Sequence, residues 1–294
     1  MAWPTTLRLV FAGLVATAAF LASGESPTTT GTAQQFTPPL ETAREDEGEL
    51  VRQNCRVHGK RIEPLVCAYG PKGSTNRVVL FGDSHAMQWG PALIPLAKKR
   101  GWRLTTLIRT GCPIANVVAE SHCSRWREKA LRKIESLRPK HIILSTSIGN
   151  RYRLKYQGLD LSRKDSEPSL RTGMIQTIRR LQRIDSLVDD RTAITLIRDQ
   201  VMAPFVPAEC LMKSEGRTDR CVFRNKRKFG PGFDWYAARR TGIGPAIDPT
   251  TVLCGRKWCS TTSGRVLKYR DSDHLTATYV RTLSGWLDDR LGIR

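Results

Sequence analysis

The sequence predicts an α/β protein, a three-layer α/β/α sandwich around a parallel sheet of about five strands. Short apolar segments alternate along the chain with segments of helical periodicity, which is the pattern of parallel βαβ units. One predicted strand, Val78–Phe81, runs directly into a Gly-Asp-Ser turn and a helix. Another, near the C-terminus, is followed by Asp271-Ser272-Asp273-His274. Polar side chains are therefore expected after two strands of the same sheet.

The first of these strands places a serine where a nucleophile is expected. Val78–Phe81 consists of apolar residues, and Gly82 ends the strand and permits a tight turn. Asp83 is expected to cap the following helix or to brace the turn. Ser84 then lies beside a helix N-terminus at the carboxyl end of a strand, where open α/β sheets bind ligands. We predict that Ser84 is the nucleophile; taken alone, it could also be a helix cap.

The alternating pattern continues from this turn to about residue 197. The predicted helices are Ala86–Arg100, Cys123–Leu137 and Leu170–Leu187, and the further strands are Arg103–Ile108, His141–Ser145 and Ala193–Ile197. Pro91 and Pro95 are expected to confine or kink the first helix. Strands connected by helices in this way predict a covered parallel sheet of flavodoxin-like topology.

The C-terminal part of the chain supplies a base and a carboxylate. Val266–Arg270 predicts a strand, and Leu275–Leu291 has helical spacing. Asp271 and His274 lie between them and should meet Ser84 at the same sheet edge. An imidazole titrates near neutral pH, so His274 is the predicted base, with Asp271 holding its other nitrogen. Alone, Asp271 could instead cap the last helix.

Two sequence blocks carry a resemblance to a known family. Gly82-Asp83-Ser84-His85 and Asp271-x-x-His274-Leu275-Thr276 resemble the first and last blocks of the SGNH acyl hydrolases. Cys67 before the first block and Cys112-Pro113 resemble the subgroup fused behind integral-membrane acyltransferases that O-acylate bacterial surface polysaccharides. The resemblance implies acyl transfer through an acyl-serine, with O-acetyl groups of carbohydrate as substrate and no cofactor. It includes His85, for which we derive no role.

An acyl-transfer site also needs donors for the developing oxyanion. The backbone N–H of Ser84 is one candidate. Gly111, after the second strand, is another, although it could be only a turn glycine. Asn150 is the third, at a different spacing from the Gly-x-Asn-Asp block of the family, since the chain has Ser147-Ile148-Gly149-Asn150. His58, His122 and His141 lack a supporting carboxylate, so we expect surface or loop residues and no metal site.

The chain divides into three predicted regions. Residues 1–24 predict a signal peptide or membrane anchor, because one positive charge precedes an apolar run over Leu9–Ala22 and small residues follow it. Residues 25–50 are polar and rich in Pro and Thr, which predicts a disordered linker. Residues 51–294 form the predicted enzyme domain. We therefore expect an exported protein, periplasmic or extracellular.

Eight cysteines fit an exported chain. Short separations favour disulfides within four close pairs, and the Cys-x-x-Cys spacing typical of zinc sites does not occur. The pairs are Cys55/Cys67, Cys112/Cys123, Cys210/Cys221 and Cys254/Cys259. Two of them fall in a basic insertion at about residues 199–264. That insertion is expected to be either a cap over the substrate pocket or an inert surface excursion.

The net charge of +21 limits the choice of partners. For an exported protein it favours anionic lipid headgroups or acidic cell-wall polymers over nucleic acid, unless the charge serves only solubility. With water as acceptor the predicted enzyme is an esterase; with a sugar hydroxyl it is an O-acyltransferase that works with a separate membrane acyltransferase. The alternative is a non-catalytic, basic carbohydrate-binding module that kept the fold.

Overall fold

A computed structural model describes residues 1–2, 35–118, 121–148, 154–156, 159–184, 193–225, 232–243 and 246–293. The chain forms two units, Met1–Ala33 and Gln34–Arg294, and the fold below is that of the second. Apart from residues 1–2, the predicted signal peptide or anchor lies outside the described residues. Among the helices of the described part, none has both the length and the apolar character needed to span a bilayer.

The second unit alternates strands and helices. The strands are β1 Cys67–Tyr69, β2 Arg77–Gly82, β3 Arg103–Ile108, β4 His141–Ser145, β5 Lys155–Tyr156, β6 Leu159–Asp160, β7 Ala193–Leu196, β8 Val222–Arg224, β9 Trp258–Ser260, β10 Thr262–Ser263 and β11 Val266–Leu267. The α-helices are α1 Glu49–Arg52, α2 Ser84–Met87, α3 Gly90–Lys99, α4 Ser121–Leu137, α5 Arg163–Leu181, α6 Pro207–Lys213, α7 Phe233–Thr241, α8 Thr250–Leu253, α9 Ala277–Thr282 and α10 Ser284–Leu291. Two 3₁₀ helices span Leu40–Glu45 and Thr218–Cys221.

Five strands form the central sheet, in the order β1-β3-β2-β4-β7. β2, β3, β4 and β7 are parallel, and β1 is antiparallel at one edge. Alternate residues of β2 enter different cores: Val78 and Leu80 pack on one face, Val79 and Phe81 on the other. Residues of α3, α9 and α10 cover the first face, and residues of α4, α5 and α7 cover the second. The predicted three-layer α/β/α sandwich is confirmed.

The strand order places a topological switch point at β2. The chain passes from β2 to its neighbour β3, then crosses to β4 on the other side of β2. Doubly wound sheets bind ligands in the crevice that this reversal opens at the carboxyl ends of the strands. Gly82 ends β2 there, and a Cβ on this residue would lie 2.0 Å from the carbonyl oxygen of Ser145 in β4. The close approach of two backbones explains why the strand ends in glycine.

Two elements of the sheet differ from the prediction. The C-terminal segment Val266–Arg270 is not a strand of the central sheet, since only β11 is a strand and it pairs with β10 in a small hairpin. The sheet's fifth strand is instead β1, whose three residues pair with β3. The long C-terminal helix predicted over Leu275–Leu291 is divided into α9 and α10.

Residues 35–50 belong to the folded unit, so the predicted linker does not extend this far. Phe36, Ala43 and Leu50 are buried. Thr37 bonds to the hairpin through its N–H to Arg265 O (3.0 Å) and its carbonyl to Leu267 N (2.9 Å). We call residues 35–47 the N-terminal strap. The composition of this segment is that of a linker, but Phe36 and Ala43 pack in a core cluster with Leu267, which lies far along the chain.

The basic insertion contributes to the interior of the domain. Phe223 and Leu253 join the core on one face of the sheet, and Phe233 and Ala237 join the core on the other. It therefore differs from both a detached cap and a surface excursion. The four predicted disulfides are present, joining Cys55–Cys67, Cys112–Cys123, Cys210–Cys221 and Cys254–Cys259.

Candidate active site

The turn after β2 is held by Asp83. Its Oδ1 accepts the backbone N–H of His85 (2.8 Å), which caps α2 as predicted. Its Oδ2 accepts the Oγ1–H of Thr146 and the N–H of Ser147, both at 2.9 Å, from the loop after β4. Because Asp83 is fully buried and takes these three bonds, it fixes the turn that carries Ser84 against the neighbouring strand.

The structure brings Ser84, His274 and Asp271 together. His274 Nε2 lies 2.9 Å from Ser84 Oγ, and His274 Nδ1 lies 2.9 Å from Asp271 Oδ2. Asp271 Oδ1 also accepts the backbone N–H groups of Asp273 (2.9 Å) and His274 (2.6 Å). The carboxylate is thus fixed in position, and it does not cap the last helix, since Thr276 caps α9. These distances are those expected for a nucleophile, a base and its orienting group.

The electrostatics suit a base at neutral pH. Burial alone would lower the pKa of His274, but the hydrogen bonds to Asp271 and the neighbouring Asp273 outweigh it and raise that pKa above its ordinary value. Asp271 shows the opposite balance: burial would raise its pKa, and the bond to His274 lowers it. An imidazole with a raised pKa takes up a proton more readily, so the pair favours proton abstraction from Ser84.

A second buried histidine lies behind the first. His85 is 1% exposed, and its Nδ1 lies 2.6 Å from Asp199 Oδ1. Its Nε2 lies 3.8 Å from Asp273 Oδ2, and its ring centroid lies 4.7 Å from that of His274. Although burial would lower the pKa of His85, the charge and hydrogen bond of Asp199, together with the nearby carboxylate of Asp273, raise that pKa well above the ordinary value. His85 therefore lies between the carboxylates of Asp199 and Asp273, which favour its protonated form.

The sequence alone indicates no role for His85 and does not identify Asp199 as a residue of the site. The only signal for His85 is its place in the block that resembles the SGNH hydrolases. Asp199 lies 114 residues further along the chain, just after β7, and nothing in its local sequence indicates a contact with His85. Its Oδ2 also accepts the N–H of Ile148 (2.8 Å), so it joins the loop after β4 to the site.

A cavity of about 390 Å³ opens over Ser84 and His274. Eleven residues line it: Glu47, Arg56, His58, Ser84, His85, Met87, Thr110, Gly111, Ser147, Arg270 and His274. Gly111 has a left-handed φ of 68°, and its Cβ position is open, so backbone can face a substrate closely there. Among the described residues of the insertion, none lines this cavity. Asn150, the third oxyanion candidate, lies outside the described residues.

The N-terminal strap contributes an acidic side chain to this cavity. Glu47 pairs with Arg270 (3.1 Å) and with Arg56 (3.5 Å), and Arg270 in turn lies 3.6 Å from Asp271. His58 is exposed, as predicted, and it lines the cavity as well. His141, also expected on the surface or in a loop, is buried in β4, where burial lowers its pKa to about 4.

His85, Asp273 and His274 also offer three potential metal-ligand atoms within 4.8 Å of one another. Both nitrogens of His274 already face Ser84 and Asp271, and His85 Nδ1 faces Asp199. A cation here would have to displace the contacts among Ser84, His274 and Asp271. We therefore interpret the cluster as part of the hydrogen-bonded network.

Comparisons with known proteins agree with this geometry. A family model described as "SGNH domain (fused to AT3 domains)" matches residues 54–288. The periplasmic domain of the lipopolysaccharide acetyltransferase of Salmonella ser. Paratyphi A aligns with a TM-score of 0.56 at 16% identity, over 74% of this chain and 84% of that one. A carbohydrate acetylesterase family member from Sinorhizobium meliloti aligns with a TM-score of 0.39 at 14% identity, over 74% of this chain and 100% of that one. No curated protein sequence matches. The Salmonella domain shares the fold.

Proposed function

The chain belongs to the family of SGNH domains that are fused to AT3 domains, and from that premise we propose that it is an exported serine acyl-transfer enzyme. Its proposed substrates are O-acyl groups, above all O-acetyl groups, of cell-surface or cell-wall carbohydrate. The observation that carries the proposal is the pair of hydrogen bonds that joins Ser84 Oγ to His274 and His274 to Asp271, beside a cavity.

The mechanism follows from these contacts. His274 Nε2 takes the proton of Ser84 as Oγ attacks the acyl carbon, and Asp271 stabilises the imidazolium that forms. The proposed oxyanion donors are the backbone N–H groups of Ser84 and Gly111, with Asn150 as a third candidate. When the tetrahedral intermediate collapses, the leaving oxygen of the acyl donor, a sugar oxygen in the esterase reaction, departs with the proton from His274, and the acyl group stays on Ser84. The acceptor then gives its proton to His274 and takes the acyl group, and His274 passes that proton to Ser84 Oγ as the acyl–oxygen bond breaks, which restores the free enzyme.

The acceptor distinguishes two enzymes. If the acceptor is water, the chain is an esterase. If it is a sugar hydroxyl, the chain is an O-acyltransferase, and a membrane acyltransferase supplies its acyl group. The family description favours such a partner, because AT3 domains accompany the SGNH domains of this family. Incubating the protein with an aryl acetate and a glycan, and comparing acetyl-glycan with free acetate, distinguishes the two.

Export is supported by the disulfides. Four disulfides are typical of oxidising compartments, and the Salmonella domain of the same fold is periplasmic. We place the protein in the periplasm or outside the cell, delivered by the signal peptide or anchor of residues 1–24. Its charge of +21 favours contact with acidic envelope polymers or an anionic membrane surface.

Labelling with a fluorophosphonate tests the proposal. The wild-type protein should be labelled at Ser84, and Ser84→Ala should lose labelling and at least about 10³-fold of its kcat on an aryl acetate. Ser74→Ala is the control, because Ser74 also donates a hydrogen bond, to Gly101 O, in the turn before β2. A folded wild-type protein that resists labelling but binds acylated glycan would instead be the carbohydrate-binding module.

A further inference from the structure

The loop that carries Asp271 and His274 is not held in place by strand pairing with the central sheet. It is closed on itself by a bridge between Tyr269 and Leu275 and by a bond from Arg270 N to His274 O (3.0 Å). Ser84 extends from β2, whereas this loop follows β11 of the separate hairpin. Strand pairing in the central sheet therefore does not set the distance between Ser84 and His274.

Two buried glutamine side chains connect the loop to the elements around Ser84. Gln88 follows α2, four residues after Ser84, and its Oε1 accepts the N–H of Leu275 (2.9 Å). Its Nε2 donates to Gln200 Oε1 (2.8 Å), and Gln200 Nε2 donates to the carbonyl oxygen of Asp273. We call Gln88 and Gln200 the glutamine pair.

The chemistry of the two ends fixes the orientation of the glutamine pair. Leu275 N–H can only donate, so the atom of Gln88 that faces it is the oxygen. The Asp273 carbonyl can only accept, so the atom of Gln200 that faces it is the nitrogen. The amide nitrogen of Gln88 then faces the amide oxygen of Gln200, so these three contacts each join a donor to an acceptor; Gln200 Nε2 also lies 3.3 Å from His85 Nδ1.

These contacts hold the backbone on both sides of the proposed base. Asp273 and Leu275 are the immediate neighbours of His274, and the glutamine pair bonds to one peptide group on each side. Gln88 and Gln200 are 5% and 4% exposed, so a broken contact would leave a buried amide unpaired. Gln200 follows Asp199, which also contacts His85, and Ala203 N bonds to Ser272 O (2.8 Å).

We propose that Gln88 and Gln200 are positioning residues that hold His274 within reach of Ser84. The inference rests on the proposed function for its kinetic consequences, and on geometry alone for its effect on His274. A displacement of about 1 Å in a reacting group can cost on the order of 10²-fold in rate. Losing the pair should therefore lower kcat and leave binding of a small substrate almost unchanged.

The kinetic test uses Gln88→Leu, Gln200→Leu and the double variant, with an aryl acetate as substrate. Each single variant should lose about 10- to 100-fold in kcat, with KM changed less than about threefold. The double variant should lose less than the product of the two single losses, because Gln88 and Gln200 contact each other and either change already breaks that contact. Thr177→Val is the control: it removes a buried donor to a backbone carbonyl, Ile114 O (2.8 Å), outside the cavity lining, and should keep wild-type kcat.

A second readout does not depend on turnover. The NMR titration of the His274 ring should give a pKa closer to the ordinary value in the glutamine variants than in the wild type, since its contact with Asp271 loosens. Thr177→Val should titrate like the wild type. If wild-type protein shows no turnover, the proposed function fails while this titration still tests the glutamine pair.

Three results would overturn the inference. The first is that both single variants fold and keep the wild-type kcat and the wild-type His274 titration. Another is a double variant whose loss equals the product of the single losses, since the residues would then act separately. The third needs no variant: in the wild-type protein, hydrogen exchange at the amide of Leu275 should be strongly protected, and exchange at the rate of an open loop would contradict the bond to Gln88.

Discussion

Replacing Asp271 with Asn should inactivate the proposed enzyme, because the ring proton of His274 would move from Nδ1 to Nε2. Asp271 Oδ1 accepts two backbone N–H groups, from Asp273 and His274, and Oδ2 faces His274 Nδ1. An asparagine keeps the two backbone bonds only if its oxygen occupies the Oδ1 position. Its NH₂ group then faces Nδ1, so Nδ1 must accept and the ring proton moves to Nε2. That nitrogen faces Ser84 and can no longer take its proton.

The expected loss is about 10⁴-fold in kcat, the size that a wrong tautomer causes in a serine triad. Asp273→Asn is the matched comparison. Asp273 Oδ1 lies 3.4 Å from His274 Nδ1, beyond the 2.9 Å contact of Asp271, and it does not set the tautomer. We expect this variant to lose about tenfold or less, because it weakens a charge near the base without reversing the hydrogen bond.

The assay is a pH profile of kcat/KM on an aryl acetate. His274 must be neutral to act as base and its pKa is raised, so wild-type activity should rise with pH through a midpoint above about 6.5. Losing the carboxylate of Asp271 lowers that pKa, so the residual activity of Asp271→Asn should have its midpoint at lower pH. Activity within tenfold of wild type, or an unmoved midpoint, would refute the argument.

Two further predictions concern stability. Deleting residues 1–47 should lower the free energy of unfolding by at least about 2–3 kcal/mol, because buried Phe36 and Ala43 are lost. Deleting residues 1–34 should leave that free energy unchanged. Urea unfolding compares the two variants, and equal midpoints would contradict a stabilising role for the N-terminal strap. Gly82→Ala should cost about 3 kcal/mol or more, since the new Cβ meets Ser145 O at 2.0 Å. Gly73→Ala, with open space at its Cβ, should be neutral in the same measurement.

The parts of the fold that sequence could predict are those with local signals. β3 and β4 have the predicted bounds, since a short segment rich in apolar and β-branched residues between polar turns is a local signal of a buried strand. The contacts among Ser84, His274 and Asp271 were predictable because these residues lie in two short sequence blocks. β1 was not, since it has three residues, none fully buried, and its pairing with β3 depends on the whole sheet.

The parts that could not be predicted depend on contacts between distant residues. Gln88 contacts Gln200 across 112 positions, and His85 contacts Asp199 across 114. A buried glutamine has no local pattern, because its role is set by the backbone groups that reach it. The Asp-x-x-His loop was predicted to follow a strand of the central sheet, and this was wrong for the same reason. The composition of Val266–Arg270 suits a strand, but it does not indicate which segment that strand pairs with.

The N-terminal strap has a consequence for how the molecule assembles. Arg270 donates to the carbonyl oxygen of Arg44 across 226 positions, and Thr278 N donates to Asp46 Oδ2 across 232. A chain that emerges from a translocation channel N-terminus first exposes Phe36 long before its partners appear, so contacts of such high order form last. On the proposed export route, Ser84 would leave the channel before His274, so the proposed nucleophile would have no base until residues 265–278 had followed it.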